Sequence, residues 1–420
     1  MKYLRLLLSL LLCLTANNIF AQSEANASFT KAMSITDADP ENYIAPLKAL
    51  KNIPVDEDDL GGLSMWLQAM MTYNSFLGDY DSTLYYSDAR HRDLIDTIQT
   101  KVDTNFVLEH EFIDATHYIT DKAKQHQVTM INEAHHSPFH RAFIMEMLVD
   151  FREAGYDYLA IETLQDSLIN VNQKLTYQTG YYSREPLFGE LIRYALRLGF
   201  HLVPYESQEK CDNKSSERNY CNSFRDSIMA VNLSKVIEKD NQAKILVYAG
   251  YDHVHKGNSN GWKKMAEYFW EMTGVEPFSI DQTAQIEHFY PQREEKEFAA
   301  VNSLKQIKKP VVAIKNGKAW HGKFVDVSVI YPRYRHKKHR PSFYQIGGLR
   351  YPYEVDDINL ANGYIVQAFY KNEEPSIRIP ADQLVIGKKK GELYLFPGDY
   401  ILEIKDELGI LKEKREICIN

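Results

Sequence analysis

Four ionisable side chains fall within eight residues: Glu133, His135, His136 and His140, in the run Val-Thr-Met-Ile-Asn-Glu-Ala-His-His-Ser-Pro-Phe-His from Val128 to His140. A short apolar run of β character that ends abruptly in a carboxylate and imidazoles sets them at the C-terminal edge of a strand, where open α/β sheets collect ligands. Glu162 closes a second such run, and Asp252, His253 and His255 follow a third, Ile245 to Ala249, through Gly250. Carboxylates and imidazoles brought to one edge from three distant segments suit two chemistries. One is a divalent metal (manganese, cobalt or zinc) with an activated water, and the other is metal-free general acid–base catalysis. Glu133, His135, Glu162 and His253 are the candidate catalytic or metal-ligating set. His126, His201 and His288 read as structural or solvated. There is no His-Glu-x-x-His motif and no Gly-x-Ser-x-Gly elbow, so neither a linear metalloprotease site nor a serine triad is expected.

A helix starting at Ser137-Pro138 would be capped by the serine and carry the proline in its first turn. That leaves His136 at the mouth of a helix N-terminus and His140 on the first turn, a setting that favours an anion. The elements needed to hold this edge follow from periodicity. Between Gln127 and Thr283 strands are expected at Val128 to Asn132, Tyr158 to Glu162, His201 to Tyr205, Ile245 to Ala249 and Pro277 to Asp281. They alternate with helices at Phe139 to Ala154, Pro186 to Leu198, Asn222 to Lys239 and Asn260 to Thr273. Gly155, Gly199 and Gly274 sit just past three of these helices, where a left-handed cap is wanted. The expected class is α/β, a mostly parallel sheet with helices on both faces.

Residues 22–119 read as helical. Met65 to Tyr73, Phe76, Gly78 and Tyr80 to Tyr85 have the spacing of one tetratricopeptide-type hairpin, and a single unit must pack on the next domain rather than form an array. Val107 to Gln125 is expected as a helix leading into the first strand. Residues 120–284 form the α/β catalytic or ligand-binding domain, and 285–341 a strand-containing linker with strands at Val311 to Ile314 and Phe324 to Ile330. The basic run Arg333 to Arg340 reads as solvated. Residues 342–420 alternate apolar and polar residues, as in a small antiparallel β-sandwich.

The 420 residues are 44% hydrophobic and 25% charged with a net charge of −8, a globular composition that argues against nucleic acid as a partner. Residues 1–21 read as a secretory signal, with Lys2 and Arg5 preceding an apolar stretch. Its removal leaves −10 and no run long enough to span a bilayer. Cys13 is a poor lipoprotein anchor because Leu12 before it is bulky. The expected location is periplasmic or secreted, so Cys211 and Cys221, bracketing a polar loop, are expected to form a disulfide that leaves Cys418 over.

Asn132-Glu133-Ala134-His135-His136, Phe139-His140, Ala160-Ile161-Glu162, Arg225-Asp226-Ser227-Ile228-Met229-Ala230 and Ala249-Gly250-Tyr251-Asp252-His253 together resemble the successive motifs of the ChaN, erythromycin esterase and TraB/Tiki superfamily. The likeness covers about residues 120–284. It implies a site of Glu133, His135, Glu162, Arg225 and His253, with Arg225 as an oxyanion or carboxylate clamp. It also implies a choice of uses: ester or amide hydrolysis, metal-dependent peptide hydrolysis, or haem or iron binding with ligands from His135, His136, His140 or the Tyr181-Tyr182 pair. Asn132 departs from the family's glycine and is expected to fill space beside the site. The leading expectation is an exported hydrolase of a small-molecule or peptide substrate, with His135 or His253 as base. Haem or iron binding and a non-catalytic interaction protein, using the helical or sandwich modules, are the alternatives.

Overall fold

The computed structural model describes residues 24–91, 102–212, 219–337, 340–355, 363–387 and 391–420. The signal reading, with Cys13, lies outside them. The central sheet is mixed, and its strands are β1 (Glu111–Asp114), β2 (Val128–Glu133), β3 (Tyr158–Ile161), β4 (His201–Pro204), β5 (Ile245–Gly250), β6 (Phe278–Asp281), β7 (Val311–Lys315), β8 (Lys318–Ala319) and β9 (Val327–Ile330). They run in the order β1-β7-β9-β6-β2-β5-β3-β4, with β8 beside β7. From β9 to β4 every pairing is parallel, and β7 is antiparallel to β1, β8 and β9.

All six residues of β2 and of β5 are buried, as befits strands covered on both faces. Alternation sorts their side chains. Ile131, Leu159, Ile161, Leu246 and Tyr248 join the core beneath helices Pro138–Glu153 and Pro186–Arg197. Met130, Ala160, Val247 and Ala249 join the core beneath helices Tyr220–Lys239 and Met265–Thr273. Gly155, Gly199 and Gly274 have φ of +88°, +79° and +71° at the ends of three of these helices, the left-handed conformation their position called for.

Three expectations change. Val107 to Gln125 is not one helix: Thr104–Glu109 and Ala115–Ala123 are helical, and between them β1 pairs antiparallel with β7. Helix Met265–Thr273 starts later than Asn260, because Asn258–Ser259 and Trp262–Lys263 form a short hairpin first. The segment read as a linker contributes β7, β8 and β9 to the central sheet, and its basic run is solvated at Arg335 and His336 but not at its two ends. Arg340 is buried against Asp382 (2.8 Å), and Arg333 forks onto Glu294 with two 2.6 Å bonds. Lys338 and His339 of that run lie outside the described residues.

Helices Leu60–Leu77 and Tyr80–Ala89 form the helical hairpin, turned at Gly78 (φ +72°) and capped by Asp59 and Asp79. It packs inward: Gln383 Nε2 donates to Phe76 O (2.8 Å), and Tyr80 and Tyr334 share a hydroxyl contact. Tyr43, which caps the N-terminus of helix Ile44–Lys51, donates to Arg184 O (2.7 Å). Near the C-terminus a two-stranded antiparallel sheet (Tyr351–Glu354 with Glu392–Leu395) and a four-stranded one (Asp382–Val385, Ile365–Tyr370, Gly398–Lys405, Leu411–Ile419) enclose their own core. Cys211 and Cys221 are bridged, with Cα atoms 5.5 Å apart, and Cys418 is free and exposed. Among the described residues no helix is long and apolar enough to cross a membrane.

Candidate functional site

The parallel block explains why three distant segments meet. The chain runs β2, β3, β4, then returns to place β5 between β3 and β2 before crossing to β6. Connections therefore leave in opposite directions around β2 and β5, the topological position where such sheets open a crevice beyond their C-terminal edges. Glu133 is paired in register with Gly250, and Glu162 follows β3 beside them, its N–H bonded to Tyr248 O (3.2 Å). Here a cavity of about 140 Å³ is lined by Glu133, His135, Glu162, Thr163, Tyr181, Tyr182, Glu206, Arg225 and Gly250, among others.

Two carboxylate–histidine pairs flank it, and they differ. In the first, His135 Nδ1 donates to Glu133 Oε1 (2.8 Å). Glu133 is itself fixed by Arg141, which donates from Nε to Oε2 (2.9 Å) and from Nη2 to Oε1 (3.1 Å). Arg141 is fully buried and also holds Glu185 Oε2 (2.9 Å) and His135 O (2.7 Å). Burial alone would raise Glu133, but Arg141 and His135 outweigh it and hold the carboxyl at about 2. The His135 ring stacks on Tyr182, with centroids 4.3 Å apart and planes at 17°, and meets Tyr251 edge-on. With Nδ1 engaged, Nε2 is left to face the space above Gly250: a Cβ at Gly250 would lie 2.6 Å from Nε2 and 3.0 Å from Glu162 Oε2.

In the second pair His253 Nδ1 donates to Asp226 Oδ1 (2.5 Å). Asp226 is fully buried and also accepts from Trp262 Nε1 (2.6 Å) and Met265 N (3.1 Å). The remaining nitrogen, Nε2, accepts from Arg225 Nη1 (3.0 Å). Burial opposes charging of His253, yet Glu162 and Asp226 outweigh it and raise its pKa. The Arg225 contact fits only the neutral ring, since Nε2 must accept.

Arg225 bridges the two halves of the site. Its Nη2 donates to Glu162 Oε1 and to Glu206 Oε2 (both 2.5 Å), and Nε donates to Glu206 Oε1 (2.9 Å). It clamps carboxylates, as expected of a guanidinium fork, but they belong to the protein itself. Glu162 also accepts from the Gly250 N–H. Burial would raise Glu162, and His253, His135 and Arg225 together hold it at about 2.

The remaining candidates stand outside this cavity or do not present donors to it. His136 is buried, 3.4 Å from Ser87 Oγ and 3.5 Å from Tyr251 OH. His140 Nδ1 accepts from Ala134 N (3.0 Å) on the far side of the turn. Burial drives both imidazoles down to about 3, so they are neutral. Ser137 begins helix Pro138–Glu153, but its side chain makes no cap bond, and this N-terminus does not line the cavity. Tyr181 packs between Phe29 and Phe76, and Tyr182 serves as the stacking floor of His135. Asn132 does not fill space beside the site. It points to the opposite face of β2, where Nδ2 donates to Tyr251 O (2.6 Å) and Asp281 Oδ1 (2.7 Å).

The four proposed metal donors do not converge, because Glu133 is spent on Arg141 and both nitrogens of His253 are engaged. Among the described residues no group of three or more His, Cys, Asp or Glu is placed to hold a metal ion. The cavity taken alone, about 140 Å³, is smaller than the roughly 300 Å³ at which ligand pockets begin. Among the described cysteines none lies at the cavity.

Arg141, Glu185, Asp226 and Glu206 went unrecognised as site residues in the sequence. Glu206 follows β4 as Glu162 follows β3, so the strand-end rule that found one applies to the other. Arg141 stands alone as a charge in an apolar helical stretch, Phe139 to Met145, and Asp226 directly follows Arg225.

No family model matches this chain, and no curated protein matches it. Among solved structures it is similar to the type III effector HopBA1 (14% identity, 39% of this chain and 81% of that one, TM-score 0.29). It is also similar to RRSP, a MARTX toxin effector domain from Vibrio vulnificus (14%, 52% and 46%, 0.28). The C-terminal region of Pasteurella multocida toxin is a third (10%, 85% and 54%, 0.31), and the chain spans about half the length of these last two. TM-scores below 0.5 leave these likenesses too slight to define a shared fold.

Proposed function

We propose that the chain is a hydrolase of an ester or amide bond in which His135 is the general base and Glu133 its orienting carboxylate. One observation carries this reading: of the two histidines, only His135 has a ring nitrogen free of protein partners, and it faces a cavity across from an ionised carboxylate. Nε2 takes a proton from a water as the water oxygen bonds to the substrate carbonyl. The proton then passes to the leaving oxygen or nitrogen as its bond to carbon breaks. Glu133, held ionised by Arg141, fixes the tautomer and stabilises the imidazolium that forms between these transfers. Glu162 is placed to accept the second hydrogen of the water. Arg225 has one Nη1–H beyond its four hydrogen bonds, enough for a single contact to the developing oxyanion. His253 with Asp226 positions Arg225 and does not act as a base.

The motif resemblance to the ChaN, erythromycin esterase and TraB/Tiki superfamily supports this reading, as four of the five site residues it implies, Glu133, His135, Glu162 and Arg225, line one cavity. Export is part of it: the apolar N-terminal run suits a secretory signal, and the Cys211–Cys221 bridge suits an oxidising compartment. The test is a panel of activated esters and peptides. Turnover should fall by at least about 10²-fold in His135→Ala and follow Glu133→Gln downward. Turnover that survives both substitutions, or none with any substrate, overturns the reading.

A further inference from the structure

A second cavity, of about 270 Å³, shares His135 and Tyr182 with the first as lining. Its other walls come from the end of the N-terminal helical hairpin (Ser87, Arg90, His91), from the site's own loops (His136, Tyr251) and from the segment after β6 (His288, Arg293). These walls are cationic and rich in imidazole. No carboxylate is among the lining residues; Asp88, next to Ser87 in the chain, is buried and already engaged by His288 Nδ1 (2.6 Å), Tyr290 N (3.0 Å) and Arg293 Nη1 (3.4 Å). Two arginines against one carboxylate leave the cavity with a positive excess. Arg90 Nε is buried with no hydrogen-bond partner, a donor whose isolation costs energy unless a ligand supplies the acceptor. His136 is kept neutral by burial, and partial desolvation together with Arg293 and Arg90 lowers the pKa of His91. Beside this cavity, Tyr85 and Phe289 stack edge-on at 5.2 Å and are 40% and 46% exposed, an apolar shelf next to a cationic pocket.

We infer that this cavity docks an anionic group, carboxylate or phosphate, of the same substrate whose ester or amide bond reaches His135. The inference rests on the hydrolase reading and names its substrate class: an acidic ester or amide with an apolar part lying on Tyr85 and Phe289. Arg90 and Arg293 hold the anion, and the shared wall of His135 and Tyr182 sets the bond to be cleaved within reach of Nε2.

The test uses the full chain with its disulfide intact. Inorganic phosphate and succinate are titrated calorimetrically in separate arms, with acetamide as the uncharged control, against wild type, Arg90→Gln and His91→Gln. In parallel, kcat/KM is compared between 4-nitrophenyl acetate and the 4-nitrophenyl monoester of glutaric acid. At least one anion should bind, acetamide should not, and added sodium chloride should weaken wild-type binding, a measurement that needs no variant. Arg90→Gln should weaken binding by about tenfold or more, the loss of one charge-assisted hydrogen bond. It should also lower the preference for the glutarate ester. Which of phosphate and succinate binds more tightly identifies the anion. Binding of neither anion, or binding indifferent to salt and to both variants, overturns the inference. His135-dependent hydrolysis without preference for the acidic ester also overturns it and leaves the hydrolase standing. Anion binding that depends on Arg90 in a protein with no His135-dependent hydrolysis supports the site and removes the hydrolase.

Discussion

Gly250→Ala isolates the geometry of the site from its chemistry. The backbone at Gly250 (φ −77°, ψ 142°) is open to any residue, so alanine brings no conformational penalty. It brings one methyl group, 2.4 Å from His135 Cε1, 2.6 Å from Nε2 and 3.0 Å from Glu162 Oε2. Carbon contacts settle near 3.5–4.0 Å, so the imidazole must withdraw by about 1 Å. It has little room to do so, being bonded to Glu133 at 2.8 Å and stacked on Tyr182. The strand is pinned as well, since Gly250 is in register with Glu133 and its N–H is bound by Glu162. A displacement of about 1 Å costs on the order of 10² in rate, about 2.7 kcal/mol of transition-state stabilisation. The added bulk also costs about 1–3 kcal/mol of stability. The assay is kcat/KM on whichever ester the panel identifies, paired with thermal unfolding and the imidazole N–H resonance of His135. A variant that hydrolyses at the wild-type rate with that resonance unchanged would refute the placement of Nε2 above Gly250.

Arg141→Met leaves Glu133 and Glu185 as buried carboxylates without their cation, and should cost about 3–5 kcal/mol in urea unfolding. A loss below about 1 kcal/mol would mean the pair is dispensable. Glu146, on helix Pro138–Glu153, has its carboxyl raised to about 7 by burial. Its folded value lies above the unfolded 4.5, so its contribution favours folding below about pH 4.5 and is lost as pH rises to about 7, at most about 3 kcal/mol. Glu146→Gln should flatten the unfolding free energy across that window, and an unchanged slope would count against the shift.

The parallel strands and the glycine caps were legible because they are written locally: β2 to β5 each fall within one residue of where apolar runs and turn residues place them. What was lost depends on pairing at a distance. Glu111 to Asp114 has no strand signature in four residues, and only the partner strand Val311–Lys315 pulls it out of a helix. Arg333 and Arg340 look solvated by composition, and only the fold brings Glu294 and Asp382 to meet them. The same reason hid Arg141, whose role requires Glu133 from the strand before it and Glu185 from forty-four residues after.

For the site, sequence could assemble the residues but not divide the labour between the two histidines. Both follow strand ends and both have a carboxylate at Nδ1. The difference lies at Nε2, where His253 meets the guanidinium of Arg225 and His135 meets open space over a glycine. A base must have a free lone pair to receive a proton, and at His253 that lone pair is already taken by Arg225 Nη1, although Glu162 and Asp226 raise its pKa. Arg225 thus disqualifies one histidine while tying Glu162 and Glu206 into place, and Gly250 keeps the other accessible. On the proposed hydrolase reading, the base of a matched pair is set by one large side chain, Arg225, and by the absence of another at Gly250.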